Sequence, residues 1–348
     1  MAATLGWLDR RILTGTISPQ SAAKAPTLMT TKAVGLLSGG LDSTLAARLL
    51  LDQGIEVHAI NFTSPFCTCT AKGASCAAVV RAVEQLGNIP LKRVVMGEDY
   101  LALIRNPPNG HGRGMNPCID CRIMKIRMAA EYMREIGASF LFTGEVLGQR
   151  PMSQHRRAID IIDRGSGIAG LILRPLSALH FEPTIPETTG LVDRSKLLAF
   201  EGKTRKPQIA LAHASGIADY PCPAGGCRLT DQIFAERLRD YFAHTTEASL
   251  ADMALLKVGR HFRLANGDQV VVARDSAEGD ALERIARPTD HFLVPQFSGP
   301  AVLLRGGDVD AAVAKLREFT HAEKIPPQGA TIEHRFQGGV ESIALTVG

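Results

Sequence analysis

Over the first two-thirds of the chain, short apolar runs alternate with longer stretches in which apolar residues recur every three or four positions. Ala33-Val34-Gly35-Leu36-Leu37 reads as a buried strand, and Leu45-Ala46-Ala47-Arg48-Leu49-Leu50 opens an apolar-periodic helix behind it. Further strands are expected at 56–62, 91–95 and 138–143, with helical patterns over 41–53, about 76–87, and 120 to about 136. Strand alternating with helix predicts an α/β fold: a parallel sheet with helices on both faces. Such sheets bind ligands at the carboxyl ends of their strands, where the strand order reverses. The segment 38–43, Asn61, Phe62 and Thr143-Gly144-Glu145 all fall at such ends.

Past about residue 235 the pattern changes. A helix over 231–242 leads into Leu255–Leu264, an Asn266-Gly267 hairpin signal and the strand 269–273, with a further helix at 308–319. This predicts a small C-terminal α+β domain. The expected organisation is a flexible extension over 1–30, an α/β domain over 31–235 and the α+β domain over 236–348. The glycine-rich stretch 106–114 reads as a mobile surface loop, and 181–207 as irregular.

Composition adds bounds. The chain has 348 residues, 45% of them hydrophobic, and a net charge of +4. That charge permits nucleic-acid binding without demanding it. No apolar run approaches the roughly 18 residues that span a bilayer, so no membrane partner is expected. The first residues carry no signal-peptide core. The odd count of seven cysteines argues against a disulfide framework and for reduced thiols in a cytoplasm.

The chemistry starts at Ser38-Gly39-Gly40-Leu41-Asp42-Ser43. Strand, glycine turn and helix start together aim backbone N–H groups and a helix dipole at one anion. Ser38 and Ser43 add hydroxyls. Asp42 would repel a bare phosphate, which points it towards a magnesium ion or a water shared with one. The sequence lacks the three spaced glycines of the dinucleotide fingerprint here, and the Gly-Lys-Ser/Thr of the Walker loop.

Thiols form a second constellation. Asn116-Pro117-Cys118-Ile119-Asp120-Cys121 places two sulfurs on the first turn of a helix, where the dipole is expected to favour thiolates. Cys222 and Cys227 sit in a Pro/Gly-rich turn of the kind that holds metals. Cys118, Cys121 and Cys227 would leave one iron of a four-iron cluster open; adding Cys222 would close a structural zinc site; a persulfide relay needs neither. Cys67, Cys69 and Cys76 read as small buried residues or as sulfur carriers. Arg150, Arg156, Arg157, Lys203, Arg205 and Lys206 could follow a phosphate backbone, and Arg260, His261, Arg263 and Arg274 offer a similar face further on. His111 and His155 read as hydrogen-bonding residues.

These residues carry a resemblance. The 38–43 turn, then Leu141-Phe142-Thr143-Gly144-Glu145-Val146-Leu147-Gly148-Gln149 with Ser153-Gln154, then Leu173-Arg174-Pro175-Leu176, resemble the PP-loop domain of tRNA 4-thiouridine synthases over roughly 31–235. Cys118, Cys121 and Cys227 resemble the tricysteine, four-iron cluster subclass of PP-loop tRNA-thiolation enzymes. Lys257-Val258-Gly259-Arg260 is similar to a small RNA-binding domain of ribosome-associated quality-control proteins. The resemblance implies that ATP adenylates a uracil carbonyl and that sulfur then displaces AMP, with O4 at tRNA position 8 as the leading target. It implies ATP and Mg2+ at Ser38, Gly39, Gly40, Asp42 and Ser43, with Asn61 and Phe62 bounding an adenine pocket. Gly144, Glu145 and Gln149 would line the reaction chamber, and a [4Fe-4S] cluster on Cys118, Cys121 and Cys227 would present sulfide. Expected partners are tRNA and a sulfur donor, either sulfide or a cysteine desulfurase; a homodimer is left open. A 2-thiouridylase working by persulfide relay and a sulfur-inserting enzyme for small molecules are the alternatives. The family's N-terminal RNA-binding module and rhodanese domain have no counterpart pattern here, so the C-terminal domain is expected to take over RNA binding.

Overall fold

The computed structural model describes residues 30–68, 77–221, 226–326 and 330–345. The N-terminal extension and Cys69, Cys76 and Cys222 lie outside the described residues. Residues 31–348 form one compact unit.

The α/β part runs β1 (Lys32–Leu36), α1 (Leu41–Leu51), β2 (Glu56–Thr63), α2 (Ala77–Gln85), β3 (Leu91–Val95), α3 (Glu98–Arg105), α4 (Cys118–Glu135), β4 (Phe140–Thr143), α5 (Arg156–Ser166) and β5 (Ile172–Leu173). Two short helices follow, α6 (Ile185–Thr188) and α7 (Lys206–Ala214). The strands form a five-stranded sheet of order β3-β2-β1-β4-β5, all parallel. Alternate residues of one strand serve opposite faces. Ala33, Phe140 and Phe142 pack with α1, α2 and α7, whereas Val34 and Leu141 pack with Ile123 and Ile126 of α4 and Ile162 of α5. Both faces are therefore covered by helices, as the alternation of elements demands. The order reverses between β1 and β4, so the cleft beyond their carboxyl ends is the switch point for a ligand.

The second part begins with α8 (Gln232–His244) and α9 (Asp252–Leu255). It continues with β6 (Arg260–Arg263), β7 (Gln269–Val272), α10 (Ser276–Ile285), β8 (His291–Pro295), β9 (Val302–Arg305), α11 (Val309–Glu318), β10 (Ala330–Phe336) and β11 (Gly339–Leu345). The six strands form an antiparallel sheet of order β11-β10-β8-β9-β7-β6. Leu316 of α11 is buried on one face and Leu282 of α10 on the other. One apolar cluster joins Tyr100 and Leu101 of α3 to Phe234, Leu238 and Tyr241 of α8 and to Met253 and Leu256. Buried Asp252 reinforces it by accepting from the Tyr241 hydroxyl at 2.7 Å and from Arg305 at 2.7 Å, with Arg287 as a further partner.

The glycine-rich stretch 106–114 is fastened down, against the expectation of a loose loop. The Asp120 carboxylate accepts from the backbone and side-chain amides of Asn109 at 3.0 and 2.7 Å, and His111 donates to the Ile104 carbonyl at 2.6 Å.

Candidate active site

The turn after β1 is built as the sequence requires. Gly39 has a φ of +76°, and a Cβ there would lie 2.6 Å from the backbone of Ala78 and Val79. Only glycine fits that bend. Gly40 caps α1 with no side-chain hydrogen bond, so the first-turn N–H groups of α1 have no cap acceptor and point at the switch-point cleft. The Ser43 hydroxyl accepts from the Ser38 N–H at 3.2 Å and lies 3.1 Å from the Ser38 hydroxyl, which presets the turn. Asn61 is buried, and its side-chain amide donates to the Leu37 carbonyl at 2.7 Å, tying β2 to the start of the turn. Phe62 is half-buried beside it.

The turn after β4 closes on the same helix. A Cβ on Gly144 would fall 2.5 Å from the backbone of Ser43, so glycine is needed here for close approach. Gln149 donates to the Asp42 carboxylate at 2.8 Å and accepts from Gln208 of α7 at 3.2 Å. Arg205 stands 3.7 Å from the same Asp42 oxygen, while the other Asp42 oxygen is buried with no hydrogen-bond partner. That orphaned oxygen suits a cation. Glu145 is 2% exposed and pairs with Arg122 and Arg174, each at 3.0 Å; Arg174 in turn grips Asp163 through two bonds of 3.0 and 2.6 Å. Burial would raise the Glu145 pKa, but the Arg122 and Arg174 guanidiniums outweigh it and hold the carboxyl below its usual range. Glu145 is thus committed to arginines, and through Arg122 it ties the first turns of the thiol helix α4 to the β4 turn. Arg150 carries its charge among Arg122, Arg205, Asp42 and Cys118; burial and the neighbouring arginines pull its pKa down.

Cys118 and Cys121 do occupy the first turn of α4. At Cys118 the environment corrects the expectation of a ready thiolate: burial pushes its thiol up, Cys121 adds to the effect, and Arg122 and Arg150 only partly oppose it. The Tyr100 hydroxyl donates to the Cys121 sulfur at 3.3 Å. Burial raises Tyr100 too, as do the neighbouring Cys121, Cys227 and Cys67, so it stays a donor. Cys227 is pushed up to about 12, chiefly by burial. Cys227 and Cys67 face each other across an isolated antiparallel bridge. The structure therefore gathers Cys121, Cys227 and Cys67 about Tyr100, with Cys118 on the side of Arg150 and Asp42.

Of the basic residues expected to form a face on the C-terminal domain, Arg260 is exposed and two others are ion-paired. Arg263 is paired with Asp240 at 2.6 Å and Arg274 with Glu278 at 2.9 Å. Burial and Arg237 lower His261 to about 4, leaving it neutral. A cleft of about 770 Å3 in this domain is lined by Arg260, Phe297, Phe319, Asp280 and Glu283, far in character from the thiol site. His155 caps α5 by accepting from the Ala158 N–H at 3.3 Å. The sequence reading missed the Arg122–Glu145–Arg174–Asp163 network, whose signal was an arginine directly after the Cys-x-x-Cys motif. It also gave no role to Tyr100.

Residues 29–187 match the family described as thiamine biosynthesis protein (ThiI). The ThiI-type segment contains the glycine turn, the β4 turn, Cys118 and Cys121. Residues 259–324 match the NFACT protein RNA binding domain. A probable tRNA sulfurtransferase of Geobacillus kaustophilus (strain HTA426) is 32% identical over 149 residues, covering 42% of this chain and 35% of that protein. The tRNA-specific 2-thiouridylase MnmA of Marinobacter nauticus (strain ATCC 700491 / DSM 11845 / VT8) is 26% identical over 243 residues, covering 66% of this chain and 57% of that protein. A crystal structure of a 4-thiouridine synthetase–RNA complex with bound ATP aligns at 23% identity and a TM-score of 0.34, over 65% of this chain and 52% of that one. The matched stretches thus span from about a third to somewhat over half the length of these curated relatives. Among the described residues, no helix is long and apolar enough to cross a membrane.

Proposed function

We propose that this chain is an ATP-dependent tRNA thiouridine synthase. One juxtaposition carries the reading: a glycine turn built for an anion, with an orphaned Asp42 oxygen, shares its cleft through Arg150 with the first-turn thiol Cys118. The similarity of the ThiI-type segment to tRNA sulfurtransferases supports it. The first-turn N–H groups of α1 and the Ser38 and Ser43 hydroxyls hold the pyrophosphate of ATP, and the orphaned Asp42 oxygen would hold Mg2+, which would offset the phosphate charge. The uracil carbonyl oxygen attacks the α-phosphorus and pyrophosphate leaves. Sulfur then attacks the activated ring carbon and AMP leaves. Arg150 and Arg205 offset the charge on the departing phosphates. We assign the product as 4-thiouridine at position 8, with tRNA held in part by the NFACT-like domain; the protein acts in the cytoplasm on sulfur from sulfide or a desulfurase.

A [4Fe-4S] cluster fits the donors in kind. Cys118 and Cys121 share a helical turn, and Cys227 lies near Cys121 beside Tyr100. Among the described residues no group of three or more His, Cys, Asp or Glu is arranged to hold a metal ion, so these thiols would have to draw together to ligate one. When bound, the cluster would supply an open iron for hydrosulfide. A thiol-only relay is favoured by the Cys67–Cys227 pairing. Anaerobic purification with iron analysis separates the two: an iron-free enzyme of full activity excludes the cluster.

The deciding experiment measures tRNA-dependent conversion of ATP to AMP, with mass spectrometry of the digested nucleosides. Asp42→Asn is expected to lower AMP formation by about 100-fold or more, since the amide loses the metal. An unmodified tRNA pool with no AMP would refute the function; 2-thiouridine in place of 4-thiouridine would reassign the position.

A further inference from the structure

The motif around Cys67 finds its place opposite Cys227. Phe66, Cys67 and Thr68 run antiparallel to Gly226, Cys227 and Arg228. The Arg228 N–H donates to the Phe66 carbonyl at 2.8 Å, and the Thr68 N–H to the Gly226 carbonyl at 3.4 Å. These bonds flank the Cys67–Cys227 bridge one residue away on each side. That is the pattern of a non-hydrogen-bonded antiparallel pair, in which facing Cα atoms lie about 4.5 Å apart and side chains come closest. Such a spacing falls inside the window of about 4.4–6.8 Å over which two cysteines can join.

The pairing is held from several directions. The Thr68 hydroxyl donates to the Gly226 carbonyl at 2.8 Å and accepts from the Gly226 N–H at 3.1 Å. Phe66 is fully buried, edge-on to Tyr100 and Phe234 with ring centroids 5.9 Å apart in each case. Cations surround the sulfurs: Lys257 interacts with Cys67 and lies near Arg228, and Lys125 interacts with Cys227.

We propose that Cys67 receives the incoming sulfur and that Cys227 discharges it as hydrosulfide. This rests on the reading that the site delivers sulfur to an activated uridine. A persulfide donor gives its outer sulfur to the Cys67 thiolate: the donor's S–S bond breaks, an S–S bond forms on Cys67, and the donor leaves as a thiol. The Cys227 sulfur then attacks the inner sulfur of the Cys67 persulfide anion. The Cys67–Cys227 disulfide forms, and the outer sulfur leaves with the electron pair and the Cys227 proton as hydrosulfide. Lys125, Lys257 and Arg228 stabilise that anion beside the cleft. A dithiol reductant returns two electrons and two protons to restore both thiols.

The test incubates the reduced full-length chain with cysteine persulfide, without ATP or tRNA, followed by non-reducing peptide mapping and sulfide assay. The wild-type chain is expected to yield a peptide linking Cys67 to Cys227 together with free hydrosulfide. Cys227→Ser is expected to keep a persulfide on Cys67 and to release hydrosulfide at least about tenfold more slowly. A disulfide joining Cys227 to Cys118 or Cys121, or wild-type release by Cys227→Ser, overturns the proposal. The wild-type map needs no variant to fold. Loss of tRNA-dependent AMP formation with exchange intact would refute the enzyme reading alone; AMP formation without the 67–227 disulfide would refute the exchange alone.

Discussion

A methyl group on Gly39 would meet the backbone of Ala78 and Val79 at 2.6 Å, with the residue held at a φ of +76°. Neither neighbour can swing aside as a side chain would. Gly39→Ala is therefore expected to cost roughly 2–4 kcal/mol, from left-handed strain plus overpacking, and urea denaturation measures it. The glycines and hydroxyls of this turn were legible in the sequence because each acts within a few residues of its neighbours. Thiol chemistry was not legible in the same way. A helix N-terminus favours thiolates, but the burial that opposes it is set by residues far away in the chain, and burial wins at Cys118. Burial also governs Cys227 in its turn. Its pKa of about 12 lies above the ordinary thiol value of about 8.5. At pH 8, alkylation of Cys227 by iodoacetamide is expected to run more than about 100-fold slower in the folded than in the unfolded chain, and to accelerate as pH rises beyond the ordinary thiol range. Peptide mapping after timed labelling reads this.

Among elements, β1 to β4 and the helices α1, α2 and α4 sit within about two residues of where their periodicity places them; β3 spans Leu91–Val95 as expected. α3 and α7 have no expected counterpart, and α6 falls inside the stretch expected to be irregular. β5 has only two residues and carries too little pattern to be read. α5 carries its apolar stripe, Ala158, Ile159 and Ile162, in the local sequence, although the expected elements include no helix there. The ion network that ties α4, the β4 turn, α5 and β5 together was equally hidden, since its members are spread from Arg122 to Arg174. Glu145→Gln removes the buried counter-charge shared by Arg122 and Arg174, leaving Arg174 with Asp163 alone, and is expected to destabilise the fold by about 3–5 kcal/mol in chemical denaturation at pH 7. The pH sign follows from the lowered Glu145 pKa. The wild-type advantage is present above the unfolded carboxyl value, about 4.3, and fades as pH falls through the lower folded value. The two denaturation curves should therefore converge in acid.

At the scale of the whole molecule, the boundary expected near residue 235 is crossed by α8, whose Phe234, Leu238 and Tyr241 share one apolar cluster with α3 and Leu256. The Asp252 hub in turn ties α8 to Arg305 of β9 within the C-terminal part. Residues 31–348 are accordingly expected to unfold in a single calorimetric transition; two resolved transitions would show the C-terminal part to be independent. By itself the sequence determined the parallel α/β layering, the glycine turn after β1 and the two-thiol helix start. Each of these is encoded in local periodicity or in motifs a few residues long. Tertiary structure alone decided that Cys67 meets Cys227, that Glu145 serves arginines, and that Arg263 and Arg274 of the C-terminal face are ion-paired. Those outcomes depend on partners far apart in the chain, whose charges and sulfurs come together only when the sheet and its helices have closed around them.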